Sequence, residues 1–230
     1  MRSMRTLINK HPLITESHPK SQVSESYRTL RTNIQFSSID RSMKTLLVTS
    51  AQPGDGKSTT AANLSVAYAQ EGKKVLIVDA DLRKPTLHHY FGKSNRYGLT
   101  SAIVNRNQFD EFICETSIEN LFLIPSGPIP PNPSELLMSQ KMTVFLEEMA
   151  ARFDVIIIDS PPTLAVADAQ ILATKCDGVV MVIRDGKVKR DMARKAIHNL
   201  QRVQAKVLGV VLNNKRPKKS DGAYYDYYGD

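Results

Sequence analysis

The 230-residue sequence has no tryptophan, two cysteines and no long apolar run. Cys114 and Cys176 are too few for a disulfide framework, so we expect the reducing cytoplasm as the compartment. The longest purely apolar runs, 155–158 and 179–183, are far shorter than the roughly 20 residues that a membrane-spanning helix needs. The basic N-terminus lacks the apolar stretch of a secretory signal. With 41% hydrophobic and 23% charged residues, the composition is typical of a globular domain.

The positive charge is concentrated at the two ends of the chain. The formal net charge is +8, with +5 in residues 1–45, −4 in 46–183 and +7 in 184–230. A basic flank can serve nucleic acid, an anionic membrane surface or an acidic partner, and it can also be ordinary solvated charge. The basic stretch 187–195 has neither a recognised nucleic-acid motif nor stacking aromatics, so no nucleic-acid partner is expected.

Short apolar runs alternate with helical patterns along the chain. The runs are rich in Val, Ile and Leu without polar alternation, which is typical of strands covered on both faces. They are 45–49, 74–78, 121–124, 155–158, 178–183 and 207–212. Helical patterns occupy 58–71, 139–152, 165–175 and 189–204. This order predicts an α/β fold with a mainly parallel central sheet and helices on both faces.

Three segments lie outside this alternation. Residues 1–21 are predicted to form a basic N-terminal arm, and 22–38 an extra helix at the start of a domain spanning 22–214. Residues 215–230 are predicted to be a disordered tail, because they offer almost nothing apolar to bury. Four of the eight tyrosines of the chain nevertheless lie there: Tyr224, Tyr225, Tyr227 and Tyr228. Such tyrosines suit phosphate acceptors, although aromatic adhesion to a partner surface is the alternative.

A phosphate-binding loop follows the first predicted strand, with the sequence Ala51-Gln52-Pro53-Gly54-Asp55-Gly56-Lys57-Ser58-Thr59. The two glycines let backbone N–H groups turn inward around phosphates, and the following helix directs its positive end at them. Lys57 supplies a charge for the β- and γ-phosphate oxygens, and the Ser58 hydroxyl suits Mg²⁺. This pattern predicts a P-loop NTPase in which nucleotide is bound by Gly54, Asp55, Gly56, Lys57, Ser58 and Thr59.

Three aspartates lie just beyond the C-terminal ends of two other predicted strands. Asp79 and Asp81 follow the run 74–78, and Asp159 follows the run 155–158. In an open parallel sheet, ligands bind at the carboxyl ends of the strands, so these acids and the phosphate loop are expected at one edge. They predict a magnesium–nucleotide site there. Asn213, at the same edge, is predicted either to bond a purine edge or to be a plain turn residue.

Together these motifs resemble those of the bacterial protein-tyrosine kinases over nearly all of residues 22–230. The matching segments are the phosphate loop 50–58, the acidic motif Val78-Asp79-Ala80-Asp81-Leu82-Arg83, the motif Ile158-Asp159-Ser160-Pro161-Pro162, the segment 127–137, the Glu25–Arg28–Arg31 helix and the tyrosine-rich terminus. The resemblance implies transfer of the γ-phosphoryl group of ATP to tyrosine, with Mg²⁺ as cofactor. It also implies that the kinase phosphorylates its own tail.

The resemblance further implies a role for each residue of the site. Lys57, Asp79 and Asp81 are then catalytic, with Asp79 receiving the proton of the phenol. Ser58, Asp81 and Asp159 are the magnesium ligands.

The resemblance also implies partners. Glu25, Arg28 and Arg31 join subunits in a homo-oligomeric ring, although a solvated helix face with a local ion pair is the plainer interpretation. A separate transmembrane activator recruits the kinase to the inner face of the plasma membrane. Protein-tyrosine substrates, a tyrosine phosphatase and a role in capsule or exopolysaccharide synthesis complete the expectation.

The competing hypothesis is an ATPase switch of the kind that positions cell-division or DNA-segregation machinery, without kinase activity. Those proteins carry a second lysine five positions before the main one, where it reaches the nucleotide of a dimer partner. Gln52 occupies that position here. Without a cation there, the trans-acting mechanism loses its charge, which favours the kinase.

Overall fold

The computed structural model describes residues 12–37, 43–104 and 109–215. The strands are β1 (Thr45–Ser50), β2 (Val75–Asp79), β3 (Cys114–Glu115), β4 (Leu121–Ile124), β5 (Val155–Asp159), β6 (Gly178–Arg184) and β7 (Val207–Asn213). The helices are α1 (Ile14–Ser17), α2 (Gln22–Phe36), α3 (Lys57–Ala69), α4 (Leu87–Tyr90), α5 (Leu99–Val104), α6 (Pro133–Met138), α7 (Gln140–Arg152), α8 (Asp168–Ala173) and α9 (Arg190–Arg202). A short 3₁₀ helix spans Phe109–Phe112.

The described strands form one sheet in the order β3-β4-β2-β5-β1-β6-β7. Every neighbouring pair is parallel except β3 with β4. The strands β2, β5 and β1 lie side by side at the centre, so the residues that follow them meet at one edge. The predicted α/β fold with a mainly parallel sheet is confirmed.

Helices cover both faces of this sheet. On one face, α2, α3 and α4 pack against residues such as Leu46 and Val48 of β1. On the other, α5, α7, α8 and α9 pack against Leu47 of the same strand. All residues of β1, β2 and β5 are buried, which explains why their sequences do not alternate between apolar and polar residues.

The N-terminal segment is partly integrated into this layer structure. Leu13 is buried in the core on the α3 face. The backbone N–H of Thr15 donates to Oδ1 of Asn63 on α3 at 3.1 Å, and its hydroxyl donates to the same oxygen at 2.9 Å. Residues 12–21, expected as part of an arm, therefore pack on the domain, and residues 1–11 lie outside the described part of the chain. In the described residues, no helix combines the length and apolarity needed to cross a bilayer.

Several elements differ from the sequence-based expectations. The helix expected over 165–175 is shorter, Asp168–Ala173. The strand β3 and the short helices α1, α4, α5 and α6 were not predicted. Pro133 is the first residue of α6, where the missing N–H of proline costs nothing. These additions lie around the edges of the predicted sheet and leave its central strands unchanged.

Candidate active site

The phosphate loop connects β1 to α3 and has the backbone that phosphate binding requires. Gly54 and Gly56 adopt left-handed φ angles of +81° and +96°. At Gly56 an added Cβ would lie 2.0 Å from Nδ2 of Asn213, so both conformation and space demand glycine. Because α3 begins at Lys57, its unpaired N–H groups face the loop.

Side chains from neighbouring elements hold this loop in shape. Oδ2 of Asp55 accepts a hydrogen bond from the backbone N–H of Gln52 at 2.9 Å. The side-chain amide of Asn213, at the end of β7, donates to the carbonyl of Asp55 at 2.9 Å. Burial raises the pKa of the Asp55 carboxyl. Asn213 thus uses an amide N–H on the loop itself, and its contact with a purine stays a prediction.

Lys57 brings the expected catalytic residues together. Its Nζ lies 2.8 Å from Oδ2 of Asp81 and 3.6 Å from Oδ1 of Asp159. The same Nζ donates to Oγ of Ser58 at 3.1 Å. Burial alone would lower the pKa of Lys57, but the charges of Asp159 and Asp81 outweigh burial and raise that pKa. The lysine is therefore a cation at physiological pH.

Asp79 lies beneath this group rather than in the open site. Its side chain is fully buried, and its Oδ2 accepts hydrogen bonds from the N–H groups of Thr86 and Leu87 at 3.0 and 2.9 Å. The N–H of Asp81 is 3.3 Å from Oδ1. Burial, followed by the negative charge of Asp159, raises the pKa of Asp79. The polypeptide around Thr86 therefore separates Asp79 from the cleft.

Asp159 has the features of a cation ligand. Both its carboxylate oxygens are buried, and neither accepts a hydrogen bond from the described residues. Lys57 lies 3.6 Å from Oδ1, too far for a hydrogen bond, so this buried carboxylate keeps unused acceptor capacity, which is costly. Burial raises the pKa of Asp159, although Lys57 and Ser58 oppose that rise. No three His, Cys, Asp or Glu side chains in the described chain enclose an ion by themselves. Mg²⁺ takes one or two protein carboxylates and completes its shell with phosphates and water. Ser58, Asp81 and Asp159 fit such an ion.

These residues open into a cleft of about 510 Å³. One wall is the phosphate loop with Lys57, Ser58 and Thr59. Opposite and around it lie Asp81, Arg83, Lys84, Thr86, Tyr90, Pro161, Pro162, Ala165 and Val166. A neighbouring cavity of about 640 Å³ is lined by Arg184, Asp185, Gly186, Lys187 and Asn214. We assign the chemistry to the first, because only there do the lysine, the hydroxyl and the carboxylate share one space.

Comparison with known proteins identifies the family. The family model described as an AAA domain matches residues 43–214. The tyrosine-protein kinase YwqD of Bacillus subtilis is 50% identical over 217 residues, which cover 94% of this chain and 91% of YwqD. This chain belongs to the bacterial protein-tyrosine kinases. It is an ATP-dependent protein-tyrosine kinase, and the alternative of an ATPase switch without kinase activity is set aside.

Solved structures agree with this family assignment. The chimerical protein CapA2B2 has 42% identity and a TM-score of 0.86, covering 89% of this kinase and 90% of the chimera. The kinase domain of the Escherichia coli tyrosine kinase ETK has 30% identity and a TM-score of 0.87, covering 96% of this kinase and 84% of that chain. The fold of the kinase is therefore that of a P-loop NTPase.

Two features of the kinase cleft were not predicted as site residues. The hydroxyl of Tyr90 on α4 lies 2.7 Å from the hydroxyl of Thr59, the residue that follows Ser58. Arg83 forms two hydrogen bonds to the buried carboxylate of Asp168, at 2.8 and 3.1 Å. Arg83 lay within a matched motif without an assigned role, whereas nothing in the sequence singles out Tyr90.

The helix α2 does not present its three expected interface residues equally. Glu25 and Arg28 are on the outside, with Nη1 of Arg28 2.9 Å from Oε2 of Glu25. Arg31 instead turns inward: it donates to the carbonyl of Ala67 on α3 at 2.8 Å and lies 3.6 Å from Glu71. The i, i+3, i+6 spacing thus gives an exposed Glu25, a half-buried Arg28 that also donates to the carbonyl of Pro19 at 2.6 Å, and an Arg31 that packs within the domain. Their role in a ring stays a prediction, as does that of the four tail tyrosines, which lie outside the described residues.

Proposed function

We propose that this kinase binds Mg·ATP in the described cleft and transfers the γ-phosphoryl group to tyrosines of its own C-terminal cluster. The observation that carries the proposal is the convergence of Lys57, Ser58, Asp81 and Asp159 beside the phosphate loop. This arrangement brings together a lysine that can bind phosphate oxygens and a set of side-chain oxygens that can bind a metal ion.

Phosphoryl transfer runs through a loose transition state, so the protein contributes positioning and charge neutralisation. Lys57 and the loop amides hold and neutralise the phosphate oxygens. The Ser58 hydroxyl, Asp81 and Asp159 would hold Mg²⁺, which when bound would offset the negative charge that develops on the transferred group. Tyr90 orients the neighbouring Thr59 through their hydroxyl contact. Lys57, which is directed at Asp81 and Asp159, would offer its charge to the phosphate oxygens.

Asp79 is the proposed acceptor of the phenol proton, by resemblance to the family. An ordinary aspartate differs from tyrosine by about six pKa units, and burial together with the charge of Asp159 narrows this gap by raising the pKa of Asp79 to about 8. The remaining difference still opposes full deprotonation before transfer, so the proton moves late, as the bond to phosphorus forms. Because Asp79 lies under Thr86 and Leu87, the phenol reaches it only when that turn opens. The long contact at Oδ1 makes this oxygen the one that is available for the proton.

The position of β7 supports the tail as acceptor. The strand ends at Asn213, whose side chain contacts the phosphate loop. Tyr224 is the eleventh residue after Asn213, and a flexible chain of that length spans about 17–20 Å. A tether that starts at the loop and has this reach brings the tyrosines to its own cleft or to that of a neighbouring subunit. The resemblance favours the neighbour.

The biological setting follows from the same resemblance. The proposed kinase is cytoplasmic and assembles into a ring. A separate transmembrane activator holds it at the inner face of the plasma membrane, and a tyrosine phosphatase reverses its phosphorylation. Capsule or exopolysaccharide synthesis is the process that it regulates.

The test incubates the purified full chain with Mg²⁺ and γ-labelled ATP, with and without the cytoplasmic segment of a candidate activator. Label on residues 224–228, absent when the four tail tyrosines are replaced by phenylalanine, supports the proposal. ATP hydrolysis with no phosphotyrosine under either condition contradicts it.

A further inference from the structure

The cleft has an acidic residue at its floor and a basic rim. Asp81, which is 4% exposed, lines the cleft, whereas Asp79 and Asp159 are fully buried beneath its surface. Arg83 and Lys84 are exposed on the same cleft. A peptide that enters from solvent therefore meets the two cations of the rim before it meets the carboxylate of Asp81.

The two rim cations differ in how their charge is balanced. Arg83 is held by the buried Asp168 through two hydrogen bonds and by the hydroxyl of Ser134 at 3.1 Å. Its charge is matched inside the protein. Lys84, by contrast, forms no ion pair with any carboxylate of the described residues.

The backbone keeps Lys84 in this position. Its N–H donates to Oδ1 of Asp81 at 3.0 Å, which closes a turn directly above the site. The same carboxylate contacts Lys57 through its other oxygen. Lys84 is thus an uncompensated cation fixed to the residue that is expected to hold the metal.

The wall beyond the floor suits an aromatic ring. It is formed by Pro161, Pro162, Ala165 and Val166, which carry no charge and no side-chain hydrogen-bonding group. Pro161 and Pro162 follow β5 after one intervening residue, Ser160, and their rings restrict the backbone. An apolar wall next to an unpaired cation matches a tyrosine that has an acidic neighbour.

The chain contains such a segment outside the described residues. Residues 221–230 read Asp-Gly-Ala-Tyr-Tyr-Asp-Tyr-Tyr-Gly-Asp, so each tyrosine lies within three residues of an aspartate. The segment carries three acidic and no basic residues. Its charge complements the rim.

We infer that Lys84 is a specificity-determining residue that selects acceptor tyrosines with acidic neighbours, and that its occupant is the segment 221–230. The inference rests on the proposed function of the cleft and names the acceptor class that the cleft takes. Arg83 adds to the positive electrostatic potential of the rim, but most of its charge is balanced by its ion pair with Asp168.

The test measures binding of two synthetic peptides to the full chain with Mg²⁺ and a non-hydrolysable ATP analogue, by fluorescence anisotropy. One peptide has the sequence 221–230, and the other has its three aspartates replaced by asparagine. The chain's own tail competes equally with both, so the ratio of affinities is unaffected. We expect the acidic peptide to bind about fivefold more tightly, as for one or two partly exposed charge pairs.

Three variants test whether Lys84 is responsible for the preference for the acidic peptide. Lys84→Gln should remove most of it, and Lys84→Glu should reverse it. The control is Lys73→Glu, which makes the same charge change at an exposed lysine beyond the C-terminal end of α3 and should retain the preference. Equal affinity of the two peptides for the unmodified kinase, or an unchanged preference in Lys84→Gln, would overturn the inference.

Phosphate transfer from ATP to the same peptides separates this inference from the proposed function. Selective binding without any transfer would refute the proposed reaction and leave the role of Lys84 intact. Equal binding with equal transfer would refute the role of Lys84 and leave the reaction intact.

Discussion

Asp79 and Asp159 are register partners at the last positions of β2 and β5, so two buried carboxylates lie side by side at the centre of the sheet. Lys57 approaches this pair from the phosphate loop, 3.6 Å from Asp159. The negative charge of these carboxylates is therefore balanced by Lys57 and by the Mg²⁺ that is expected to bind with the nucleotide.

The first prediction concerns that balance. Lys57→Met removes the cation beside Asp81 and Asp159 and should lower the free energy of unfolding by about 2–3 kcal/mol, because it leaves buried carboxylates unpaired. It should also abolish phosphoryl transfer and weaken nucleotide binding. Since Mg²⁺ can replace the missing charge, added Mg²⁺ should raise the melting temperature of the variant more than that of the unmodified kinase.

Thermal unfolding across a magnesium titration measures this difference, and Lys73→Met serves as the surface control. An identical magnesium response in Lys57→Met and the unmodified kinase would count against Asp81 and Asp159 as metal ligands.

The second prediction separates the two register partners. Asp159→Asn should weaken the magnesium dependence of nucleotide binding, because Asp159 supplies oxygens that have no other hydrogen-bond partner in the described chain. Asp79→Asn should leave that dependence nearly unchanged and still abolish transfer to tyrosine. Calorimetric titration with Mg·ADP and a phosphotyrosine assay give the two readouts. Full transfer by Asp79→Asn would exclude it as the proton acceptor.

The third prediction concerns the close approach at Gly56. Gly56→Ala places a Cβ against the amide of Asn213 and strains a left-handed backbone, so nucleotide binding should be lost. Gly72→Ala is the matched control: its φ is +85°, but an added Cβ there meets nothing within 4 Å. It should cost only the backbone strain, about 1–2 kcal/mol, and keep nucleotide affinity.

The double variant Gly56→Ala/Asn213→Ala removes the steric overlap and leaves the strain. It should recover part of the binding that Gly56→Ala loses. No recovery would mean that the overlap with Asn213 does not matter and that conformation alone requires glycine.

The fourth prediction is that Arg31 and Arg28 of α2 have different roles, because they make different contacts. Arg31→Ala should lower the melting temperature even of the monomer, because it removes the bonds to Ala67 and Glu71. Arg28→Ala should leave the melting temperature nearly unchanged, since its pair with Glu25 and its hydrogen bond to the carbonyl of Pro19 both lie at the solvent-exposed surface. If α2 joins subunits in a ring, Arg28→Ala should still weaken assembly.

Calorimetry and sedimentation velocity measure the two effects separately. Unaltered assembly of Arg28→Ala would remove this residue from the ring interface, whereas a lower melting temperature would show that it stabilises the fold.

Much of this arrangement could be predicted from the sequence, because short, continuous apolar runs and the phosphate-loop motif define it. The central strands β1, β2 and β5 are continuous apolar segments, and each is followed by residues that ligand chemistry requires. Parallel pairing then places Asp79, Asp159 and the loop at one edge without further information. The predicted ends of these strands were right to within one residue.

The remainder depends on contacts that sequence spacing does not encode. The helix α4 has four residues, too few for a periodic pattern, so the contact of Tyr90 with Thr59 could not be foreseen. The spacing of Arg28 and Arg31 predicts one helix face but not that α3 covers part of it. The burial of Asp79 arises from the turn at Thr86, which carries no sequence signal.

The bond between Asn213 and Asp55 has a mechanical consequence. Asn213 is both the last residue of β7 and a clamp on the phosphate loop. A partner that binds the chain beyond Lys215 and displaces it would therefore also displace Asn213 and, through it, the phosphate loop. Binding at the C-terminus and affinity for the nucleotide are thus expected to be coupled.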